Sequence, residues 1–174
     1  MASAIPSFNP TLGKITAQLA PTVRKVFHSH KVYATQRLVR FHEMEYNVPL
    51  EAHETVLKEI IKTFQKKKFN IHFPVENRVV KGDDALLSPA YGRDSAYIAC
   101  HVFHKKDYRP YFQTMEEIFL AHDGRPHWGK KHTLKAAQLR EKYPAFERFN
   151  DIRKVEDPEG LFLNSYLESL FVRW

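Results

Sequence analysis

A change of hydrophobic period constrains this chain more than any other feature. Ala52, Val56, Leu57, Ile60, Ile61 and Phe64 form one apolar stripe at helical spacing, which predicts a helix from about Glu51 to Lys67. Directly afterwards the period becomes two. Phe69, Ile71, Phe73 and Val75 share one face, and Asn70, His72, Glu76 and Arg78 share the other. A strand with one apolar side needs a sheet whose apolar face is covered by helices.

The rest of the chain supplies the partners. Residues 36–48 are rich in branched and aromatic types and lead into Pro49, which predicts a strand and a turn. Ser95 to His104 alternates again, with Ile98, Cys100 and Val102 on one side and Tyr97, His101 and Phe103 on the other. Residues 107–121 return to helical spacing through Tyr111, Phe112, Met115, Ile118 and Phe119, with Glu116 and Glu117 assigned to the solvated side and Gly124 suited to end the helix. Arg125 to His132 reads as strand-like. From about 36 to 130 the order is strand, helix, strand, strand, helix, strand, which matches the α+β ferredoxin-like (split β-α-β) arrangement: an antiparallel sheet with helices on one face.

Helices are also expected at both ends. Leu12, Ile15, Leu19, Val23 and Phe27 predict two helical pieces between Thr11 and His30, divided at Pro21. Thr133 is expected to cap a helix through Leu134, Ala137 and Leu139 that stops near Pro144. A turn at Asp157-Pro158-Glu159-Gly160 precedes a terminal helix carrying Leu163, Tyr166, Leu167 and Leu170. With 174 residues and no repeat or long linker, the expectation is one domain spanning 1–174.

Several kinds of chemistry are excluded. The one cysteine, Cys100, rules out an internal disulfide framework and a cysteine-built zinc site. No HExxH or comparable spacing appears among the ten histidines, so no metal is expected. There is no Gly-x-Ser-x-Gly, and the six glycines never cluster into a phosphate loop. No secretion signal is visible and no segment approaches the ~20 apolar residues of a membrane span. The expectation is a cytoplasmic chain, with peripheral membrane association left open.

The net charge of +7 permits nucleic acid, anionic membrane or anionic ligand as partner without choosing among them. Its densest block, Lys66-Lys67-Lys68, suits the negative pole of the preceding helix. A basic ferredoxin-like sheet with exposed aromatics is also how RNA-recognition motifs work. The Ser95 to His104 strand lacks their Gly-aromatic pattern, so no nucleic acid is expected, and a binding module for RNA or an anionic ligand is the rival reading.

The open sheet face is expected to display His72, Glu76 and Arg78 beside Tyr97, His101 and Phe103. Arg78 offers a fork of donors and Glu76 accepts from hydroxyls, although a solvated surface ion pair is the simpler reading of the same residues. Arg125-Pro126-His127-Trp128-Gly129-Lys130-Lys131-His132 is likewise open between a core tryptophan entering a turn and part of a site.

Five stretches together resemble one family. They are Val39-Arg40-Phe41-His42-Glu43-Met44-Glu45-Tyr46-Asn47-Val48-Pro49, Glu76-x-Arg78, Leu87-Ser88-Pro89-Ala90-Tyr91-Gly92-Arg93-Asp94, Arg125-Pro126-His127-Trp128-Gly129-Lys130, and Asp157-Pro158-x-Gly160-x-Phe162-x-Asn164-x-Tyr166-Leu167. In this order they are similar to the C-terminal cap, or substrate, domain of the FAD-linked sugar-1,4-lactone and alditol oxidases of the vanillyl-alcohol oxidase superfamily.

The resemblance implies oxidation of a CH–OH group of a sugar lactone or polyol, with electrons passing to FAD. On matching positions it implies Lys130, His127 and Arg78 as catalytic residues. Glu76, Arg78, His101, Phe103 and Lys130 would bind substrate, with Lys130 and Arg78 near the flavin. No stretch resembles the family's FAD-binding domain, and the first cap motif comes early. FAD is therefore expected from a domain or subunit outside this chain, which alone would be colourless and inactive. Either the chain is part of a split or truncated oxidase, or it is a stand-alone remnant without turnover.

Overall fold

A computed structural model describes residues 15, 18, 19, 24, 26–34 and 38–172. Four strands, β1 (Phe41–Pro49), β2 (Glu76–Val80), β3 (Ser95–Phe103) and β4 (Arg125–Pro126), form one antiparallel sheet in the order β2-β3-β1-β4. Helices described are α1 (Ser29–Tyr33), α2 (His53–Lys67), α3 (Arg109–Ala121), α4 (Ala136–Lys142), α5 (Phe146–Glu156) and α6 (Ser165–Phe171). The sequence β1-α2-β2-β3-α3-β4, with β1 and β3 central, is the expected split β-α-β arrangement.

Register divides the sheet's faces. Met44, Tyr46 and Val48 pair with Cys100, Ile98 and Ala96, and all six are buried against α2 and α3. Val56 and Ile60 anchor α2 there, and Tyr111, Phe112, Met115, Ile118 and Phe119 anchor α3. Ile61, expected in the α2 stripe, is exposed. Lys66 and Lys67 occupy the last turn of α2 and Lys68 caps it in the left-handed conformation, φ 51°. A second apolar cluster joins α4, α5 and α6 through Leu139, Tyr143, Phe146, Leu170 and Phe171.

Several expectations need correction. The second strand starts at Glu76, not at Phe69, because Pro74 has no amide to give a ladder. Phe69, Ile71 and Val75 still pack on the α2–α3 core, but Phe73 turns to the opposite side, against Phe41 and His101. The first strand starts at Phe41, and Leu38 and Val39 before it are exposed.

At the N-terminus, Ile15, Gln18 and Leu19 are helical as expected, whereas Val26, Phe27 and His28 are not; α1 follows them, and most of the two helical pieces predicted between Thr11 and His30 lies outside the described residues. Val26 and Phe27 are exposed, so this stretch lacks the packing surface on which a short helix depends. Helix α5 was not expected: of its eleven residues only Phe146 and Asn150 are buried, so its apolar period is faint.

Two polar residues also change place. Glu116, expected in solvent, is buried, and it accepts hydrogen bonds from the Tyr46 hydroxyl at 2.5 Å and the Thr133 amide at 2.8 Å. Thr133 is consequently not a cap. Helix α4 begins at Ala136 with Lys135 as its N-cap, and the Lys135 amide donates to the Gln138 side chain at 3.0 Å. Gly124 closes α3 as expected, by close approach. Its amide donates to the Phe119 carbonyl at 2.8 Å, and a Cβ there would meet that oxygen at 2.5 Å.

Candidate active site

Strand alternation places Phe41, Glu43, Glu45 and Asn47 of β1 on the face away from α2 and α3, together with Glu76 and Arg78 of β2 and Tyr97, Ala99, His101 and Phe103 of β3. On that face the charged groups join into one chain of contacts. Arg78 Nη2 donates to Glu76 Oε1 at 2.7 Å and Arg78 Nη1 to Glu45 Oε1 at 2.9 Å. Lys130 Nζ donates to Glu45 Oε2 at 2.7 Å and also to Glu43 Oε1. His101 Nε2 lies 3.1 Å from Glu43 Oε1. The line Glu76–Arg78–Glu45–Lys130–Glu43–His101 thus alternates acid with base across the sheet.

Burial grades along this line. The Glu45 side chain is 3% exposed and Lys130 20%, whereas Arg78 and Glu76 are 45% and 42% exposed at the rim. Burial alone would raise the Glu43 carboxyl, but the hydrogen bond and charge of Lys130, with His101, hold it below the usual carboxylate range. Burial would likewise lower Lys130, and the hydrogen bonds and charges of Glu43 and Glu45 keep it above its ordinary value. Lys130 is therefore a fixed ammonium: a charge and a donor, not a base.

Expected residues divide accordingly. Glu76, Arg78, His101 and Lys130 meet in one network. Glu76 and His101 also line a cleft of about 610 Å³ whose apolar side includes Phe41 and Phe73. Their rings lie 5.0 Å and 5.9 Å from that of His101. Phe103 stands further along β3 against His104 and His72, outside this group. His127 donates its backbone amide to the Glu45 carbonyl, and its Nδ1 accepts from the Gly129 amide at 3.0 Å, so its ring presents Nε2–H.

The open question over Arg125 to His132 resolves within the stretch. Trp128 is a core residue: its ring stands 4.8 Å from Tyr143 and its Nε1–H donates to the Leu87 carbonyl at 2.9 Å. Arg125 is buried, with donors to the carbonyls of Pro89 and Tyr91. Lys130 belongs to the network. It also lines a cleft of about 720 Å³ with Glu116, His132 and Tyr166.

Glu43 and Glu45 were missed as site residues. Alternation from Phe41 would have put both on the open face, and two carboxylates spaced by a single residue there are a signal for bound cations. Glu43, Glu76 and His101 bring one ligand atom each within 4.8 Å of one another. Lys130 and Arg78 already neutralise those carboxylates, and no metal is assigned here. Among the described residues no helix is long and apolar enough to cross a membrane.

The family model for D-arabinono-1,4-lactone oxidase matches residues 1–170. Similar proteins include the L-gulono-1,4-lactone dehydrogenase of Mycobacterium tuberculosis, 42% identical over 92% of this chain and 38% of its own length. The L-gulonolactone oxidase of Mus musculus is 38% identical over 82% of this chain and 34% of its own length. The alditol oxidase of a Streptomyces species is 40% identical over 55% of this chain and 23% of its own length. The chain thus spans little more than a third of the length of the lactone-oxidising relatives it matches. With a family model matched along nearly all of its length, this chain belongs to the D-arabinono-1,4-lactone oxidase family.

Proposed function

We propose that this chain is the substrate-facing cap portion of an FAD-dependent enzyme that oxidises a CH–OH carbon of a sugar-1,4-lactone or alditol. The observation that carries the reading is the network centred on Glu45 and Lys130, which gathers Arg78 and Lys130 on the open sheet face. Lactones and polyols offer several hydroxyls in a row, and a row of alternating acceptors and donors is complementary to them.

The residues fit the reactive end of FAD and not its phosphates. Arg78 is half-exposed and keeps donors beyond its two ion pairs, so it can meet an electron-rich ring edge, while no glycine cluster in the sequence offers a phosphate cradle. We infer that another part of the enzyme holds the cofactor. When bound, FAD supplies the acceptor for the hydride leaving the substrate carbon.

The chain's own groups then have separate tasks. Glu76 accepts from a substrate hydroxyl, and Arg78 donates to a neighbouring oxygen. Lys130 places a fixed positive charge where negative charge grows on the reacting oxygen, a stabilisation larger in the transition state than in the ground state. His127 offers Nε2–H as a further donor. His101 donates Nε2–H to Glu43 Oε1 at 3.1 Å, which leaves Nδ1 as the ring nitrogen that can take the proton from the hydroxyl, with Glu43 sharing the resulting charge. Phe41 and Phe73 exclude water from one side of His101.

A polyanion-binding module is the weaker alternative. The open face carries Glu43, Glu45 and Glu76 against Arg78 and Lys130, so it would repel a phosphate backbone as much as attract it. The test is an assay of the flavin-loaded enzyme containing this chain, with L-gulono-1,4-lactone, D-arabinono-1,4-lactone and an alditol as donors and a dye as acceptor. Turnover on at least one of the three is expected. Full flavin occupancy with no turnover on any would overturn the proposal.

A further inference from the structure

The Glu45 carboxylate holds one cation on each oxygen: Arg78 at 2.9 Å on Oε1 and Lys130 at 2.7 Å on Oε2. These cations come from opposite sides of the sheet. Arg78 is on the edge strand β2, and Lys130 follows the other edge strand, β4. To reach Glu45 on β1, Arg78 must cross β3 diagonally, leaving its own partner Tyr97 for Ala99, the Cα partner of both Glu76 and Glu45. With only a methyl there, the guanidinium can lie across the strand; two strand spacings are roughly 10 Å, within reach of an extended arginine.

Charge balance alone does not account for Glu45. Arg78 has its own carboxylate in Glu76 at 2.7 Å, and Lys130 has one in Glu43. Nor does stability account for it, because burying ions yields little net free energy compared with an apolar residue of similar size. What Glu45 alone does is tie the two cations to each other within one carboxylate's width.

We propose that Glu45 is a positioning residue of the oxidation, fixing the spacing at which Arg78 and Lys130 meet adjacent oxygens of the substrate. The inference rests on the proposed function above. Glu45 need not touch substrate; it acts through the two groups that do. A shift of either cation by about 1 Å is enough to cost roughly a hundredfold in rate.

The test uses the flavin-loaded enzyme with Glu45→Gln, which keeps size and removes the charge, and Glu45→Asp, which keeps the charge and shortens the reach. For Glu45→Gln, kcat falls roughly a hundredfold while KM moves far less. For Glu45→Asp, part of that loss is recovered. A second readout needs no turnover: NMR titration of the Lys130 ammonium. Lys130 faces Glu43 and Glu45 of β1, reaches His101 of β3 and Arg78 of β2 through them, and shares a cleft with Tyr108, Arg109 and Glu116 at α3, Lys131 and His132 of its own segment and Tyr166 of α6. With one of its two carboxylates neutralised, Lys130 titrates at lower pH, and the alkaline limb of kcat moves the same way.

Glu45→Gln with unchanged kcat and unchanged Lys130 titration overturns the inference. So does a loss of melting temperature with kcat per flavin intact, which would mark a purely structural residue. Should Glu45→Gln fail to fold, Glu45→Asp decides, and wild-type kcat in that variant overturns the inference. A wild-type enzyme inactive on every lactone and alditol would instead overturn the functional reading, while the Lys130 titration would still report whether Glu45 holds that ammonium.

Discussion

Each face of the sheet has its own buried carboxylate, and the two are satisfied in different ways. Glu45, 3% exposed on the open face, is held by the guanidinium of Arg78 and the ammonium of Lys130. Glu116, 5% exposed on the helix side, is held by two hydroxyls and an amide, from Tyr46 and Thr133. Neutral donors fix a carboxylate in place without bringing charge to the surface. Cations do the same and leave positive groups beside the cleft, where developing negative charge can use them. Glu116 thus ties β1, α3 and the segment after β4 into one unit, while Glu45 gathers Arg78 and Lys130 on that unit.

The sharpest way to break this contrast is Lys130→Met. Under the proposed function it removes the donor to the reacting oxygen, and the expected loss is roughly 10²–10³-fold in kcat. Glu45 keeps Arg78 and Glu43 keeps His101, so neither acid is left wholly without a partner. Stopped-flow measurement of flavin reduction by substrate would isolate the step. A change in KM with kcat preserved would show that Lys130 serves binding alone.

The next largest effect belongs to the other acid. In Glu116→Gln the amide oxygen can keep the Tyr46 hydroxyl and the Thr133 amide, but its NH2 then meets the Thr133 hydroxyl, which must turn to accept and loses the acceptor for its own proton. A buried hydrogen-bond loss of this kind costs about 1–3 kcal/mol. Urea unfolding should show the lowered midpoint, while kcat on the same substrate stays at the wild-type value. A fall in kcat beyond the loss of folded protein would place Glu116 in the site and erase the distinction between the faces.

Much of this was legible from period alone. The switch from helical spacing at Phe64 to alternation at Phe69 implied a helix-covered sheet, and that is how Ile98, Cys100 and Val102 are buried. Alternation also set Glu76, Arg78 and His101 on one face, and the motif resemblance added Lys130. What period could not carry was polar burial. Glu116 stands beside Glu117 in a helix, and nothing in that pair tells which one meets Tyr46, because the partner comes from a strand seventy positions earlier. Glu43 and Glu45 were passed over for the same reason: their cations arrive from β2 and from the segment after β4, and only strand order brings those together. Phe73 failed differently, since Pro74 ended the alternation that had assigned its face.

The smallest effect concerns pH, and it sharpens the open-face side of the comparison by the sign of each titration there. Glu43 is held below its ordinary value of 4.5, first against burial, which raises it, and then by the bond and charge of Lys130 and by His101. A depressed carboxyl adds stability that is present above its unfolded value and disappears as pH falls through the folded one. Lys130 is raised above its ordinary 10.5 by Glu43 and Glu45 against the pull of burial, so its contribution is complete below that value and disappears as pH climbs past it. The network is therefore most favourable between these limits, and acid weakens it from the Glu43 side. Glu43→Gln should flatten the fall in unfolding free energy below pH 4.5 and leave the alkaline limb governed by Glu45 and Lys130. Denaturant melts repeated across the acid range measure this slope directly. A slope unchanged in Glu43→Gln would mean that Lys130 draws its charge compensation from Glu45 alone, and the network would then end at Lys130 instead of continuing to His101.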